Sequence, residues 1–228
     1  MGFLLGLGLT MATLYPVSRT VSKIVEEKET RMREIMKIMG LRGWVHQLSW
    51  LITASILFFW IALSTTYICT TSFLVSSNPV LIFSFFFLFT LSEVTFCMLL
   101  SVFFSNSKLA AIAAPVMLFV TILPRYIFFN TNSDELWQQK YLASLLSPTA
   151  FTFGADIIAE AETSRVGIQF DNLYQDKYSF GGCLSLMLFD FFLYGLLAWY
   201  FDQVTTLNPN PYPLLLHSPK FLPTYPYP

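Results

Sequence analysis

Charge is scarce in this sequence. Asp, Glu, Lys and Arg make up only 12% of its 228 residues, against roughly 25% in an ordinary soluble domain. So few charges cannot cover the surface of a water-soluble globule of this size. The charges that exist nearly cancel, 13 basic against 14 acidic, which excludes the one-sided basic field of a nucleic-acid binder and offers nothing to an acidic partner. Cysteine is equally sparse. Cys69, Cys97 and Cys183 lie in apolar segments at no disulfide or metal spacing, so they read as buried small hydrophobes. The two histidines, His46 and His217, are far apart and lack companion ligands; they read as a boundary residue and a tail residue. No nucleophile and base stand at catalytic spacing, and no G-x-x-x-x-G-K-[ST] motif is present to cradle nucleotide phosphates.

Apolar residues fill the space that charge leaves. They account for 55% of the chain and aromatics for 18%, and the 24 phenylalanines cluster in runs such as Phe83–Phe89. Between Gly43 and Ser107 the only formal charge is Glu93. About 20 apolar residues span a bilayer, so an all-α integral membrane, multi-pass protein is expected. Five spans emerge: Phe3–Val17, Leu48–Cys69, Val80–Phe104, Leu109–Phe129 with Pro115 and Pro124 inside it, and Cys183–Phe201. The first covers only 15 residues, about 22 Å of helix, so either its helix continues past Arg19 or the start of the chain is missing. It lacks the basic flank and cleavage site of a signal peptide.

Glu93 does not prevent its span from inserting. Seventeen Leu, Ile, Val and Phe residues between Val80 and Phe104 supply roughly −5 to −10 kcal/mol, against about 3 kcal/mol for one central acid. An acid in lipid either faces a cavity or partner, or is protonated and bonded to a neighbouring helix. Orientation follows the basic residues. Seven lie in Arg19–Arg42 and one in the Ser105–Lys108 turn, which places both loops in the cytosol. The Ser76–Pro79 turn, free of basic residues, then lies outside.

Two further segments stand apart from the spans. Lys140–Glu160 is apolar but interrupted by Pro148, and each half is too short to cross. This fits an extracellular re-entrant helical hairpin, with an interfacial helix pair as the alternative. Thr205–Pro228 carries seven prolines and reads as a Pro-rich disordered tail.

The charge that the chain does carry is concentrated. Val25–Lys37 holds eight of the 27 formal charges. Val21–Met39 contains neither Gly nor Pro, so one continuous helix is expected, ended by Gly40 and Gly43. Glu27 with Arg31, and Glu29 with Arg33, are i,i+4 pairs in the favourable order. Met32, Ile35, Met36 and Met39 form one apolar stripe, and Trp44 and Trp50 mark the next membrane boundary. Such a helix is either a solvated juxtamembrane segment or a docking surface.

Glu26–Trp50, "EEKETRMREIMKIMGLRGWVHQLSW", resembles the loop after the second membrane helix in the A subfamily of ATP-binding cassette (ABC) transporters, the lipid exporters. Further resemblances follow in order at Ser105–Ala111, Ala143–Gly154, Gly167–Tyr174 and Met187–Val204. The resemblance implies that residues 1–204 are a partial ABC transporter transmembrane domain of the ABC-2 exporter type, helices two to six of one membrane half, with 205–228 replacing the linker. It also implies that Glu26–Met39 is the cytosolic amphipathic coupling helix, with Glu27, Glu29, Arg31, Arg33, Glu34 and Met36 meeting a nucleotide-binding domain. ATP and Mg would sit on that partner and no cofactor on this chain. Membrane lipids and a second membrane half would complete the partners. Glu93 and Arg125 are the candidates for a substrate path, although Arg125, beside Pro124, more readily snorkels to headgroups. The alternative is a truncated or aberrantly spliced, non-transporting fragment that scaffolds or competes with a full-length transporter.

Overall fold

The computed structural model describes residues 2–40, 43–128, 136–174 and 177–207. Among them there is no strand. The helices are α1 (Gly2–Glu29), α2 (Met32–Ile38), α3 (Gly43–Ser72), α4 (Pro79–Phe103), α5 (Ser107–Ile122), α6 (Pro124–Ile127), α7 (Trp137–Ala143), α8 (Ser147–Thr163) and α9 (Phe180–Leu207). The expected disorder beyond Leu207 and the end of the fourth span at Phe129 lie outside the described residues.

Among the described residues, four stretches are long and apolar enough to cross a bilayer: α3, α4, the α5–α6 run and α9 up to Val204. Helix α1 continues through Arg19 to Glu29, so the short apolar run at its start belongs to a longer element. Local chemistry sets the starts of two helices. Asn78 accepts from the Val80 N–H at 3.0 Å with Pro79 in the first turn of α4, and Asn106 accepts from the N–H groups of Lys108 and Leu109 ahead of α5. Each cap satisfies donors that the helix cannot pair itself.

Helix α4 forms the centre. It packs along α9 and α3 and touches α1 and α8, while α1 also lies against α5 and α8. Phenylalanines fill the middle: the Phe151 ring stacks on Phe89 at 3.9 Å and on Phe85 at 4.8 Å between centroids. Helices α3 and α5 carry large apolar side chains on their outer faces, among them Ile56, Trp60, Ile112 and Val116, the surface a lipid-facing helix presents.

The segment between the fourth and fifth expected spans folds as a helix pair, α7 and α8, turning at Ser144–Leu146. Pro148 sits in the first turn of α8 instead of at the break. Its missing N–H is harmless there, so α8 runs for 17 residues, longer than the half-helix expected. The first half of α8, Ser147–Ala155, is buried among the other helices.

Candidate functional site

The charged stretch does not form the single helix that its composition favours. Helix α1 ends at Glu29, Arg31 turns back with φ 56°, and α2 restarts at Met32. Gly40, at φ 94°, closes the turn after α2 in a conformation that side chains resist, whereas Gly43 opens α3 instead of ending the charged helix. The break uncouples the two i,i+4 pairs, and Glu27, Glu29 and Arg33 find partners on other helices, while Arg31 stays exposed. Those local pairs are worth only 0.2–0.5 kcal/mol each, less than a charge-assisted contact at the right place.

Each of those contacts sits at or near a helix end. Glu29 accepts from the backbone N–H of Ser107 at 3.0 Å and from its hydroxyl at 2.7 Å, placing a carboxylate at the N-terminus of α5. Glu27 accepts from the indole N–H of Trp50 at 2.8 Å, and its Oε2 lies 3.5 Å from His46 Nε2, both near the start of α3. Lys28 Nζ donates to the Ser101 carbonyl at 2.6 Å, in the last turn of α4. Arg33 grips Asp202 with both terminal nitrogens, Nη1 to Oδ1 at 2.5 Å and Nη2 to Oδ2, near the end of α9. Glu29 at the start of α5 and Lys28 at the end of α4 thus complement those helices' dipoles, while Asp202, unfavourably placed near the end of α9, is offset by Arg33. Burial of Lys28 lowers its pKa to about 8, opposed by Asp202 and assisted by Arg33.

Outward from this cluster lies α2. Arg31 and Glu34 are exposed and Met36 is half-buried. Met32, Ile35, Ile38 and Met39 are 52%, 49%, 86% and 74% exposed. Among the described residues, then, nothing covers Met32, Ile35, Ile38 or Met39.

The two candidates for a substrate path lie apart. Glu93 is buried on α4, and its Oε1 accepts from the Thr13 hydroxyl of α1 at 2.6 Å. Its Oε2 is buried with no hydrogen-bond partner among the described residues. This is a carboxyl bonded to a neighbouring helix. Arg125 does not snorkel. It is 7% exposed, donates Nε to Asp156 at 2.8 Å and Nη1 to the Phe128 carbonyl at 3.2 Å, and its guanidinium lies 5.0 Å from the Phe153 ring centre. Asp156 on α8 supplies a countercharge that headgroups need not. Arg125, Lys140, Asp156, Glu160 and Tyr178 line a cavity of about 90 Å³.

Sequence reasoning passed over Asp190 and Asp202 because both sit inside apolar motifs of α9. Asp190 is fully buried, and neither carboxylate oxygen has a hydrogen-bond partner among the described residues. The test applied to Glu93, an acid within an apolar run, would have found both. Among the described residues no group of three His, Cys, Asp or Glu side chains is placed to hold a metal.

Similarity to known proteins agrees with this geometry. The family described as ABC-2 family transporter protein matches residues 1–200. The chain is 39% identical over 202 residues to the bovine (Bos taurus) retinal-specific phospholipid-transporting ATPase ABCA4, covering 86% of this chain and 9% of that protein. It is 34% identical over 203 residues to the mouse (Mus musculus) glucosylceramide transporter ABCA12, covering 86% of this chain and 8% of the relative. Mouse ATP-binding cassette sub-family A member 7 is 37% identical over 213 residues, 88% of this chain and 10% of its own length. The chain therefore spans about a tenth of the relatives it matches. It is an integral, multi-pass membrane protein, and it belongs to the ABC-2 family of transporter proteins.

Proposed function

We propose that this chain is the part of an A-subfamily transporter through which ATP hydrolysis on a separate nucleotide-binding domain moves lipids across the bilayer. The lipid class follows from its relatives, whose names specify phospholipid and glucosylceramide transport. In this reading α1 crosses the membrane as a fifth span, the end holding Glu29 faces the cytosol, and α7–α8 enter from the opposite side.

The observation that carries the reading is the uncovered face of α2. Four large apolar side chains stand exposed beside the exposed charges of Arg31 and Glu34. Lipid would take the apolar groups but not the charges, whereas a protein surface takes both. Arg31, Glu34 and Met36 would meet the nucleotide-binding domain directly. Glu27, Glu29 and Arg33 would act one step behind, by tying the docked segment to the spans. ATP and Mg would reside on the partner.

The test places the segment in a complete transporter and replaces Ile38 and Met39 with Glu. Membrane yield should stay normal while substrate-stimulated ATP hydrolysis falls at least tenfold. Unchanged stimulation would remove α2 from the docking surface. Sidedness has its own test: cysteines at Arg31 and Lys108 should react from the cytosol only, and those at Val75 and Tyr174 from the other side only.

A further inference from the structure

Arg33 differs from its neighbours in the element it comes from. Glu27, Lys28 and Glu29 extend from the end of α1, which is already packed along α4 and α5. Arg33 extends from α2, a helix of seven residues, too short to hold itself in water. Its covalent links on both sides are turns through the left-handed region, at Arg31 and Gly40. α2 is therefore not a straight continuation of α1, although a hydrogen-bonded turn joins the two. Side chains add to that joint, and the Arg33 fork on Asp202 supplies a contact to a different helix. The two side chains are 12% and 4% exposed, so water screens the pair little.

We propose that Arg33 and Asp202 are a positioning pair that joins α2 to the end of α9 as one mechanical unit. A displacement imposed on α2 would then reach α9 and, through the long α4–α9 contact, the centre of the bundle. The proposal rests on the reading of α2 as the docking surface for a nucleotide-binding domain; it adds which span receives the motion.

Lys28 gives the pair a recognisable asymmetry. It lines the same small cavity as Arg33 and Asp202, of about 20 Å³, room for about one water. Two cations thus share one carboxylate. Without Arg33, Lys28 remains beside Asp202 and neutralises it. Without Asp202, two cations face each other in a confined space, and Arg33, whose Nε is already buried with no hydrogen-bond partner among the described residues, loses its carboxylate. Loss of the acid should therefore be the more damaging change.

Hydrogen exchange on the chain in lipid vesicles reads the mechanical claim alone. Asp202→Asn should speed exchange of the α2 amides at least tenfold while leaving the middle of α4 unchanged. Arg33→Gln should speed it about threefold, and the charge swap Arg33→Asp with Asp202→Arg should recover most of the protection. Equal protection of α2 in all of them would overturn the proposal. Substrate-stimulated ATP hydrolysis in the assembled transporter reads the consequence. Asp202→Asn should retain the nucleotide-binding partner and its basal turnover but lose stimulation, with recovery in the swap. Loss of partner retention would instead make the pair part of the docking surface and overturn the positioning role. Where Asp202→Asn fails to reach the membrane, cysteines at both positions joined by a short bis-maleimide crosslinker replace it: stimulation should survive when they are bridged and vanish when they are not. Stimulation that is the same with and without the bridge would refute the proposal. If Ile38 and Met39 prove dispensable while the exchange results hold, the docking reading fails and the α2–α9 lock stands.

Discussion

At the end of the bundle that holds Glu29, long charged side chains join the helices, each reaching across to a different neighbour. At the opposite end, apart from the Arg125–Asp156 pair, the joints are short and mostly neutral. The Asn78 N–H donates to the Ile168 carbonyl at 2.9 Å, and the Ser77 hydroxyl accepts from the Ile168 N–H at 3.0 Å. Glu162 accepts from the Ser76 N–H at 2.8 Å and from the Ser77 hydroxyl at 3.0 Å. Backbone joined to backbone has little slack, whereas an Arg or Lys side chain can bend through several rotamers and keep its partner. The contrast describes a bundle clamped at one end and tethered at the other. The proposed transfer of motion from α2 to the spans would need that division.

The sharpest way to break the comparison is to open the clamp. Gly167 has φ 67°, and a Cβ there would lie 2.3 Å from the Ser76 carbonyl oxygen. Gly167→Ala meets both backbone strain and a clash with main chain that cannot swing aside. A loss of about 3 kcal/mol is expected, read as a lower thermal midpoint in detergent. A midpoint within a degree of wild type would mean that this joint has slack as well.

Next in size is the ion pair between α6 and α8. Asp156→Asn strands the buried Arg125 and should cost about 2–3 kcal/mol; Arg125→Met leaves the partly exposed Asp156 for water to solvate and should cost less. The reverse order would show that the Phe128 carbonyl and the Phe153 ring suffice to hold Arg125 without Asp156.

The charged end should yield to smaller increments. Glu29→Gln and Glu27→Gln each remove one charge from near a helix start while keeping a hydrogen-bond acceptor. A loss of about 0.5 kcal/mol apiece is expected, added independently because the two acids serve different helices. A loss several times larger in either variant would make this end a clamp as well.

What the sequence revealed divides along the same line. Apolar runs located α3, α4, α5–α6 and α9, because hydrophobic length is a local property. Pro148 likewise announced a helix pair. The break at Arg31 was illegible: no Gly or Pro interrupts Val21–Met39 and strong helix formers dominate it, and the partners that compete for Glu29 and Arg33 are Ser107 and Asp202, distant along the chain. The placement of Arg125 failed for the same reason, since Asp156 stands 31 residues away. Charges near helix ends show their number in a sequence, and their destinations only in the fold.

The last comparison separates the two ends by pH. Glu162 at the clamped end experiences burial, which raises its pKa, but the hydrogen bonds from Ser76 and Ser77 outweigh it and lower the net value. A carboxylate with a depressed pKa stabilises the fold above its ordinary value near 4.5, and that contribution fades as pH falls below it. The pKa of Lys28 at the tethered end is lowered too, but there the fold disfavours the charged form instead of favouring it. The drop is from 10.5 to about 8, chiefly by burial. Between these values the unfolded chain binds more protons than the folded one, so stability rises with pH across the window. Comparing midpoints of wild type with Glu162→Gln should show a difference that shrinks on acidification below about pH 4.5. The comparison with Lys28→Met should show one that grows in favour of wild type from about pH 8 to 10.5. Above pH 8 the neutral amine still donates to the Ser101 carbonyl, so the tether loses its charge without losing its bond. A Lys28→Met difference that stays flat across that window would show that the ammonium is hydrated in the folded chain, and that the tethered end admits water freely.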